Sequence, residues 1–332
     1  MRNGAKTASR HILIVRLGAM GDIIHTLPAV ASLKHSFPGT TLTWAVEAQW
    51  APLLEENPFV DRVVLLRRGV PGGLLQTWRE LRACRYDFAV DFQGLLKSAL
   101  VASVARPERI FGFHQSLVRE RAAALFYSNK VVTRAPHKVG QNLDLAAAAG
   151  AANAVIKFPL PPGRPESELP AGDFVLASPL AGWRGKQWPL ENYQALAGLL
   201  GRELGVPLVL DGPASAQPLF RSVAGAVPHA SGLPGLIWAT RRAAAVVGVD
   251  SGPLHIAAAL NKPGVAIYGP TDPARNGPYG DSLRVLRCGE AVTTYRRGSS
   301  IDESMTRISP EQVFEALRSE LHERHRSAGC AG

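Results

Sequence analysis

The stretch Val246-Val247-Gly248-Val249-Asp250-Ser251-Gly252-Pro253-Leu254-His255-Ile256-Ala257-Ala258-Ala259-Leu260 joins an apolar run to a helix-forming run through three small or polar residues. A buried strand that turns at once into a helix leaves unpaired backbone N–H groups at the helix start, and the helix dipole adds positive charge there. Such a turn can hold a phosphate or diphosphate. Gly252 has no side chain to block a close approach. Asp250 and His255 add polar groups beside it. A lone helical histidine is more often structural than catalytic, but Asp250 and Ser251 shift the balance, because all three would face one anion site. Lys186 lies in Trp183-Arg184-Gly185-Lys186-Gln187-Trp188-Pro189, whose glycine, aromatics and cations suit an ordered anion-binding loop. The plain alternative is a solvated lysine, with Trp188-Pro189 as a hydrophobic staple before a helix.

The N-terminal half repeats the plan, with Gly18-x-x-Gly21-Asp22 after the apolar run Ile12–Val15. The Asp22 carboxylate could take a proton from a hydroxyl within hydrogen-bond reach, or simply cap the helix that follows; spacing alone favours the cap. The turn is also an incomplete dinucleotide fingerprint, with neither the full G-x-G-x-x-G pattern nor a clearly placed acidic residue for a ribose. The chain has no Asp-x-Asp pair of the kind that grips a metal-bound nucleotide sugar and no clustered His/Cys ligand set. A metal-dependent mechanism is therefore unsupported.

The elements that must position these residues alternate as strand and helix. In the first half, strands are expected at Ile12–Val15, Thr41–Val46, Val60–Leu66, Phe88–Asp91 and Ile110–Phe113, with helices at Ile23–Leu33, Leu74–Cys84 and Leu95–Ala105. In the second half, strands are expected at Phe174–Ser178, Pro207–Asp211, Ala244–Val249 and Gly264–Tyr268. Helices are expected at Leu190–Leu204, Pro218–Gly225, Leu233–Arg242, Pro253–Leu260 and from Pro310 to about Arg326. Such alternation implies α/β architecture with two doubly wound, mostly parallel sheets, one per half, facing a cleft. Open sheets of this kind bind ligands beyond the carboxyl ends of their strands, which is where Asp22, Gln93, Lys186, Asp211, Asp250 and Thr271 fall. The proline-rich stretch from Pro159 to Pro170 is the best linker candidate. The expected organisation is a first domain over residues 1–160, a linker over 161–172 and a second domain over 173–332 that a C-terminal helix closes.

A chain of 332 residues fits two domains of about 150 residues each. No apolar run approaches the roughly 18 residues that span a bilayer, and Ile12–Val15 is too short for a signal-peptide core. Cys84, Cys288 and Cys330 lie far apart without metal or redox spacing, which suggests reduced thiols in a cytosolic protein. Residues 1–160 hold 20 Lys and Arg against 11 Asp and Glu; residues 161–332 hold 17 against 16. This asymmetry suggests that the first domain meets an anionic partner, and on charge alone nucleic acid, an acidic lipid surface and a phosphorylated substrate all qualify. A merely solubilising surface is about as good an account of the charge.

The ordered set of motifs resembles a known family. Its elements are Arg16-Leu17-Gly18-Ala19-Met20-Gly21-Asp22-Ile23-Ile24-His25-Thr26-Leu27-Pro28-Ala29; Asp91-Phe92-Gln93-Gly94-Leu95-Leu96-Lys97-Ser98-Ala99; Arg119-Glu120 with Ala124-Leu125-Phe126-Tyr127; Lys186-Gln187-Trp188-Pro189; Val249-Asp250-Ser251-Gly252-Pro253-Leu254-His255; and Tyr268-Gly269-Pro270-Thr271-Asp272-Pro273. Single motifs are generic, but the ordered set is similar to that of the ADP-heptose:lipopolysaccharide heptosyltransferases, most closely the type I members. The resemblance implies the GT-B architecture of two Rossmann-like domains. It also implies metal-independent, inverting transfer of L-glycero-D-manno-heptose from ADP-heptose to a Kdo sugar of Kdo-lipid A. On that pattern Asp22 is the base and Lys186, the Ser251 and Gly252 amides and His255 stabilise the departing ADP. Asp250 and Thr271 complete the donor site. Gly21, Gln93 and Arg119 match the acceptor side, and Arg67 and Arg68 are looser candidates there. The implied partners are ADP-heptose and a lipid acceptor, with no nucleic acid, no transmembrane segment and no cofactor. The implied protein is a monomer, peripheral at the cytoplasmic face of the inner membrane. The proline-rich linker and a site across the expected cleft further suggest domains that close around both substrates.

One position departs from the pattern. Ala216 stands where relatives carry a glutamate that can bind the donor ribose, so a nucleotide other than ADP stays open. Type II heptose transfer or transfer of another sugar is the same-class alternative. A nicotinamide-dependent oxidoreductase and a non-catalytic nucleotide-sugar binder are the alternatives of other classes.

Overall fold

The computed structural model of the chain describes residues 10–329, so Cys330 lies outside the described residues. Two compact units are present, Met1–Pro159 and Leu160–Gly332. In the first unit the strands are β1 (His11–Val15), β2 (Thr41–Glu47), β3 (Arg62–Leu66), β4 (Phe88–Asp91), β5 (Arg109–Phe113) and β6 (Asn129–Val131). They form one sheet in the order β3-β2-β1-β4-β5-β6, parallel at every pairing. Its helices are α1 (Met20–Ile24), α2 (Leu27–Ser36), α3 (Gly73–Arg82), α4 (Leu96–Val104) and α5 (Lys138–Ala148).

The second unit repeats the plan with β7 (Val175–Ser178), β8 (Leu208–Gly212), β9 (Ala226–Ala230), β10 (Ala245–Val249), β11 (Gly264–Tyr268) and β12 (Leu283–Arg287). Its sheet order, β12-β11-β10-β7-β8-β9, is the first order again, with every pair parallel. The helices are α6 (Leu190–Leu204), α7 (Gln217–Arg221), α8 (Leu233–Arg242), α9 (Gly252–Ala259), α10 (Pro273–Asn276), α11 (Glu303–Thr306) and α12 (Pro310–Gly329). All of β10 and the run Ile12–Val15 are buried, as strands covered by helices on both faces must be. Trp188, just before the cap residue of α6, packs edge-on to Tyr193 at 4.9 Å, so the staple is realised.

Some expected elements differ. The helix expected over Ile23–Leu33 is two helices. Pro28 has no N–H to return to Ile24, so α1 ends and α2 starts anew. Asn142 of α5 satisfies the break by donating to the His25 carbonyl at 3.0 Å. The helix expected over Pro218–Gly225 stops at Arg221, and the chain returns as β9. The strands β6, β9 and β12 were not expected from the pattern. Each lies at a sheet edge, where half-exposed residues and Pro228 mask the apolar signal. Residues 161–172 form no helix or strand, and they are strapped to α8. Arg241 donates to the carbonyls of Leu160 (2.8 Å) and Pro161 (3.0 Å), and Glu166 accepts from the Gly232 N–H at 2.6 Å. Gly163 sits at φ +72°, and a Cβ there would come within 2.5 Å of the Pro234 carbonyl.

A fully buried carboxyl anchors the end of β4. Asp91 accepts from the Tyr127 hydroxyl (2.7 Å), the Ser98 hydroxyl (2.8 Å) and the backbone N–H groups of Gln93 (2.9 Å) and Gly94 (3.3 Å). Burial raises its titration above the usual carboxylate range, and the Tyr127 hydroxyl does most to pull it back. A carboxyl whose folded-state titration lies above its unfolded one costs stability as pH rises through the folded value. Tyr127→Phe removes one donor and raises that value further. It should cost about 1–3 kcal/mol, with a larger deficit at pH 7.5 than at pH 5 in urea unfolding.

Candidate active site

In each sheet the winding direction reverses between the first and fourth strands of the unit. These are β1 and β4 in the first unit and β7 and β10 in the second. Loops that leave neighbouring strands in opposite directions open a crevice there. Of the predicted residues, Asp22 and Gln93 follow β1 and β4, and Lys186 and Asp250 follow β7 and β10; Arg67 and Arg68 follow β3, Arg119 follows β5 and Thr271 follows β11.

At the first crevice, Arg16 follows β1 directly, with its side chain almost buried. Its guanidinium pairs with Asp22 and donates to the Phe92 carbonyl at 2.5 Å. Asp22 lies in the first turn of α1 and caps nothing; the N-cap position is Ala19, with no side-chain bond. The cap reading therefore gives way to a carboxylate that Arg16 orients and whose side chain is 41% exposed. Gly21 is in the same turn, its carbonyl bonded to the His25 N–H. Gln93 accepts from the Leu17 N–H at 2.8 Å, which ties the loops after β1 and β4 together.

Arg119 is exposed, and the loop that carries it is fixed to this rim. Glu120 accepts from the Leu96 N–H at 2.7 Å, and Val118 packs where a Cβ on Gly94 (φ +69°) would stand, 2.6 Å away. Glu47, at the end of β2, binds Lys97 at 2.9 Å and lies 3.7 Å from Arg68. Arg67 instead pairs with Glu80 of α3 at 2.9 Å.

At the second crevice, Lys186 sits in a short 3-10 turn, Arg184–Lys186, between β7 and α6. Its ammonium is 2.7 Å from the Asp250 carboxylate and 3.3 Å from the Asp250 carbonyl, and it lies over the Trp183 ring. Asp250 is buried and also meets the Asn276 amide at 3.5 Å. Ser251 is the N-cap of α9 in extended conformation, with Gly252 the first helical residue and Pro253 following. The Ser251 and Thr271 hydroxyls are buried and make no hydrogen bond to the protein. His255 is buried on α9. Burial, and then the charge of Asp250, hold the Tyr268 hydroxyl protonated. Helix-start N–H groups, one cation and a group of polar side chains thus converge, which suits a diphosphate attached to a hydroxyl-rich group.

Ala216 is buried in the core of the second unit, in a 3-10 turn after β8. Its neighbour Gln217 is committed to the His229 carbonyl at 2.9 Å, and Ser215 is exposed. The roles of Arg16, Tyr268 and Asn276 are not visible in the sequence patterns. Arg16 alone had a signal, a charge that ends a fully apolar strand.

The profile of Glycosyltransferase family 9 (heptosyltransferase) matches residues 74–303. Lipopolysaccharide heptosyltransferase 1 of Escherichia coli (strain K12) is 31% identical over 336 aligned residues, which cover 93% of this chain and 99% of that protein. The solved structure of E. coli heptosyltransferase WaaC with ADP-2-deoxy-2-fluoro heptose matches with a TM-score of 0.74 at 25% identity, covering 95% of this chain and 99% of that one. E. coli ADP-heptose LPS heptosyltransferase II matches with a TM-score of 0.77, also at 25% identity and with the same coverage. The two six-stranded sheets are those of the GT-B architecture. Profile and near-full-length relative agree across both units, and the chain belongs to glycosyltransferase family 9, the heptosyltransferases.

Proposed function

We propose that this glycosyltransferase moves L-glycero-D-manno-heptose from ADP-heptose to a Kdo residue of Kdo-lipid A, with inversion and without a metal, in building the lipopolysaccharide inner core. The observation that carries the reading is the pairing of Lys186 with the buried Asp250 just before α9. It offers a cation for the diphosphate and a carboxylate for sugar hydroxyls. Relatives named for lipopolysaccharide heptose transfer support it. Family membership leaves the nicotinamide-dependent alternative without support.

On this reading the first unit activates the acceptor. Asp22, oriented by Arg16, takes the proton of the acceptor hydroxyl. The oxygen then attacks the heptose C1 from the face opposite the diphosphate. The C1–O bond to phosphate breaks, and ADP leaves with that electron pair. Lys186, the Ser251 and Gly252 amides and His255 stabilise the charge as it grows. Asp250 and Thr271 hold the donor, while Gly21, Gln93, Arg119, Arg68 and, more loosely, Arg67 meet the acceptor. Among the described residues no three His, Cys, Asp or Glu side chains cluster as metal ligands. The buried Ala216 supplies no ribose contact, so the adenosine end of the donor is held by other groups. The same reading puts the protein, as a monomer, at the cytoplasmic face of the inner membrane. The basic first domain supports the anionic membrane surface. Type II transfer, onto an already heptosylated core, is the second reading; the match to heptosyltransferase II favours it as strongly at the level of fold.

Mass spectrometry of Kdo-lipid A incubated with the protein, ADP-heptose and EDTA should show a gain of one heptose. No gain on Kdo-lipid A together with gain on a heptosylated core establishes the type II reading. Asp22→Ala should lower kcat by about 10²–10⁴-fold while calorimetry shows unchanged ADP-heptose binding; undiminished turnover removes Asp22 from the chemistry. Lys186→Met should cost about 2–4 kcal/mol of transition-state stabilisation, read as a fall in kcat/KM, and should weaken ADP binding.

A further inference from the structure

We propose that the helical layer formed by α3, α4 and the 3-10 turn Arg121–Phe126 docks the first unit onto an anionic lipid bilayer. These three elements pack side by side on one face of the first sheet. Each turns small or apolar residues inward: Thr77 and Leu81 from α3, Ala99 and Ala102 from α4, Ala123 and Ala124 from the turn. Their outward sides are also apolar. Leu74, Leu75 and Trp78 of α3 are 60%, 50% and 43% exposed, Val70 just before them is 58% exposed, and Leu96, Leu100 and Leu125 continue the layer. A helix with apolar residues on both faces has more to bury than its own sheet. Exposed apolar groups gathered on elements that pack together mark an interaction surface.

The charge around these groups identifies the partner. Residues 67–130 hold eleven Lys and Arg against five Asp and Glu. All five acids are engaged: Glu80 with Arg67, Asp87 with the His11 N–H, Asp91 in its buried network, Glu108 with Arg85 and Glu120 with the Leu96 N–H. Arg79, Arg119 and Arg121 are exposed, and Arg82 stacks on Trp78 at 5.4 Å. Leucine and tryptophan interleaved with arginine fit the boundary between acyl chains and anionic headgroups. The apolar side chains enter the acyl region, and each arginine adds about 1 kcal/mol near an acidic surface. A protein partner of matching acidity would need this mixture only over a small, shaped area. A bilayer accepts it over the whole layer.

The proposal depends on a lipid-borne acceptor only for its purpose, and its test needs no sugar transfer. The full-length protein should co-sediment with vesicles of phosphatidylglycerol and phosphatidylethanolamine, less at high salt, and poorly with phosphatidylcholine alone. The triple variant Leu74→Ser/Leu75→Ser/Trp78→Ser should raise the lipid concentration for half binding at least about tenfold. Val292→Ser, an exposed apolar change in the second unit, should not. The triple variant should keep the wild-type thermal midpoint and its turnover on a water-soluble, deacylated acceptor. Equal vesicle binding by the wild type and the folded triple variant overturns the proposal, as does no binding by the wild type. Light scattering that shows a wild-type dimer made monomeric by the triple variant overturns it too, and reassigns the layer to contact between copies. Vesicle binding without heptose transfer leaves the docking intact and sinks the transfer reading instead.

Discussion

A fully parallel sheet with right-handed crossovers has to reverse its winding to cover both faces, and that reversal decides where this protein can do chemistry. Both units use one strand order, so each has a single crevice, between its first and fourth strands. Backbone N–H groups that no neighbouring strand can satisfy collect there. So do the side chains that leave the strand ends. Asp22 and Gln93 stand at one crevice, Lys186 and Asp250 at the other, because no other place in such a sheet offers both polar backbone and room.

Holding charge at these crevices needs partners, because an unpaired ion with a near-dry stem is costly. Each crevice solves this with one cation and one carboxylate. Arg16 pairs with Asp22 and is itself pinned to the Phe92 carbonyl. Lys186 pairs with Asp250, which Asn276 also meets. The burial is asymmetric: Asp22 is 41% exposed while Asp250 is almost wholly covered. An open carboxylate suits exchange of a proton with an incoming hydroxyl. A covered one suits a fixed set of hydrogen bonds to a bound sugar. The Asp91 network beneath the first crevice keeps the Gln93 and Gly94 backbone in place, so the loop after β4 is set by the core rather than by ligand.

The helical layer of α3, α4 and the 3-10 turn shows how the same elements serve core and surface. In α4 the inner positions are Ser98, Ala99 and Ala102, while Leu96 and Leu100 are exposed. The acids of that layer are spent on internal bonds, so the arginines define its outer charge. This is a consequence of folding as much as of composition.

Much of this was legible in the sequence, because strands buried on both faces must be apolar throughout and must end in turns. Ile12–Val15, Phe88–Asp91, Val175–Ser178 and Ala245–Val249 announce themselves that way, and the polar residues after them mark both crevices. The edge strands did not, since half their surface meets solvent and β9 even carries Pro228. The carbonyl left at the break before Pro28 finds its donor in Asn142, more than a hundred residues away. Pairing decided the rest. Spacing offered Asp22 as a cap, and only the approach of Arg16 from the end of β1 and Phe92 from the end of β4 makes it an oriented carboxylate. Local sequence determines which segments must be buried and where they must turn. Which charge meets which is decided by strands that are neighbours in the sheet and strangers in the chain.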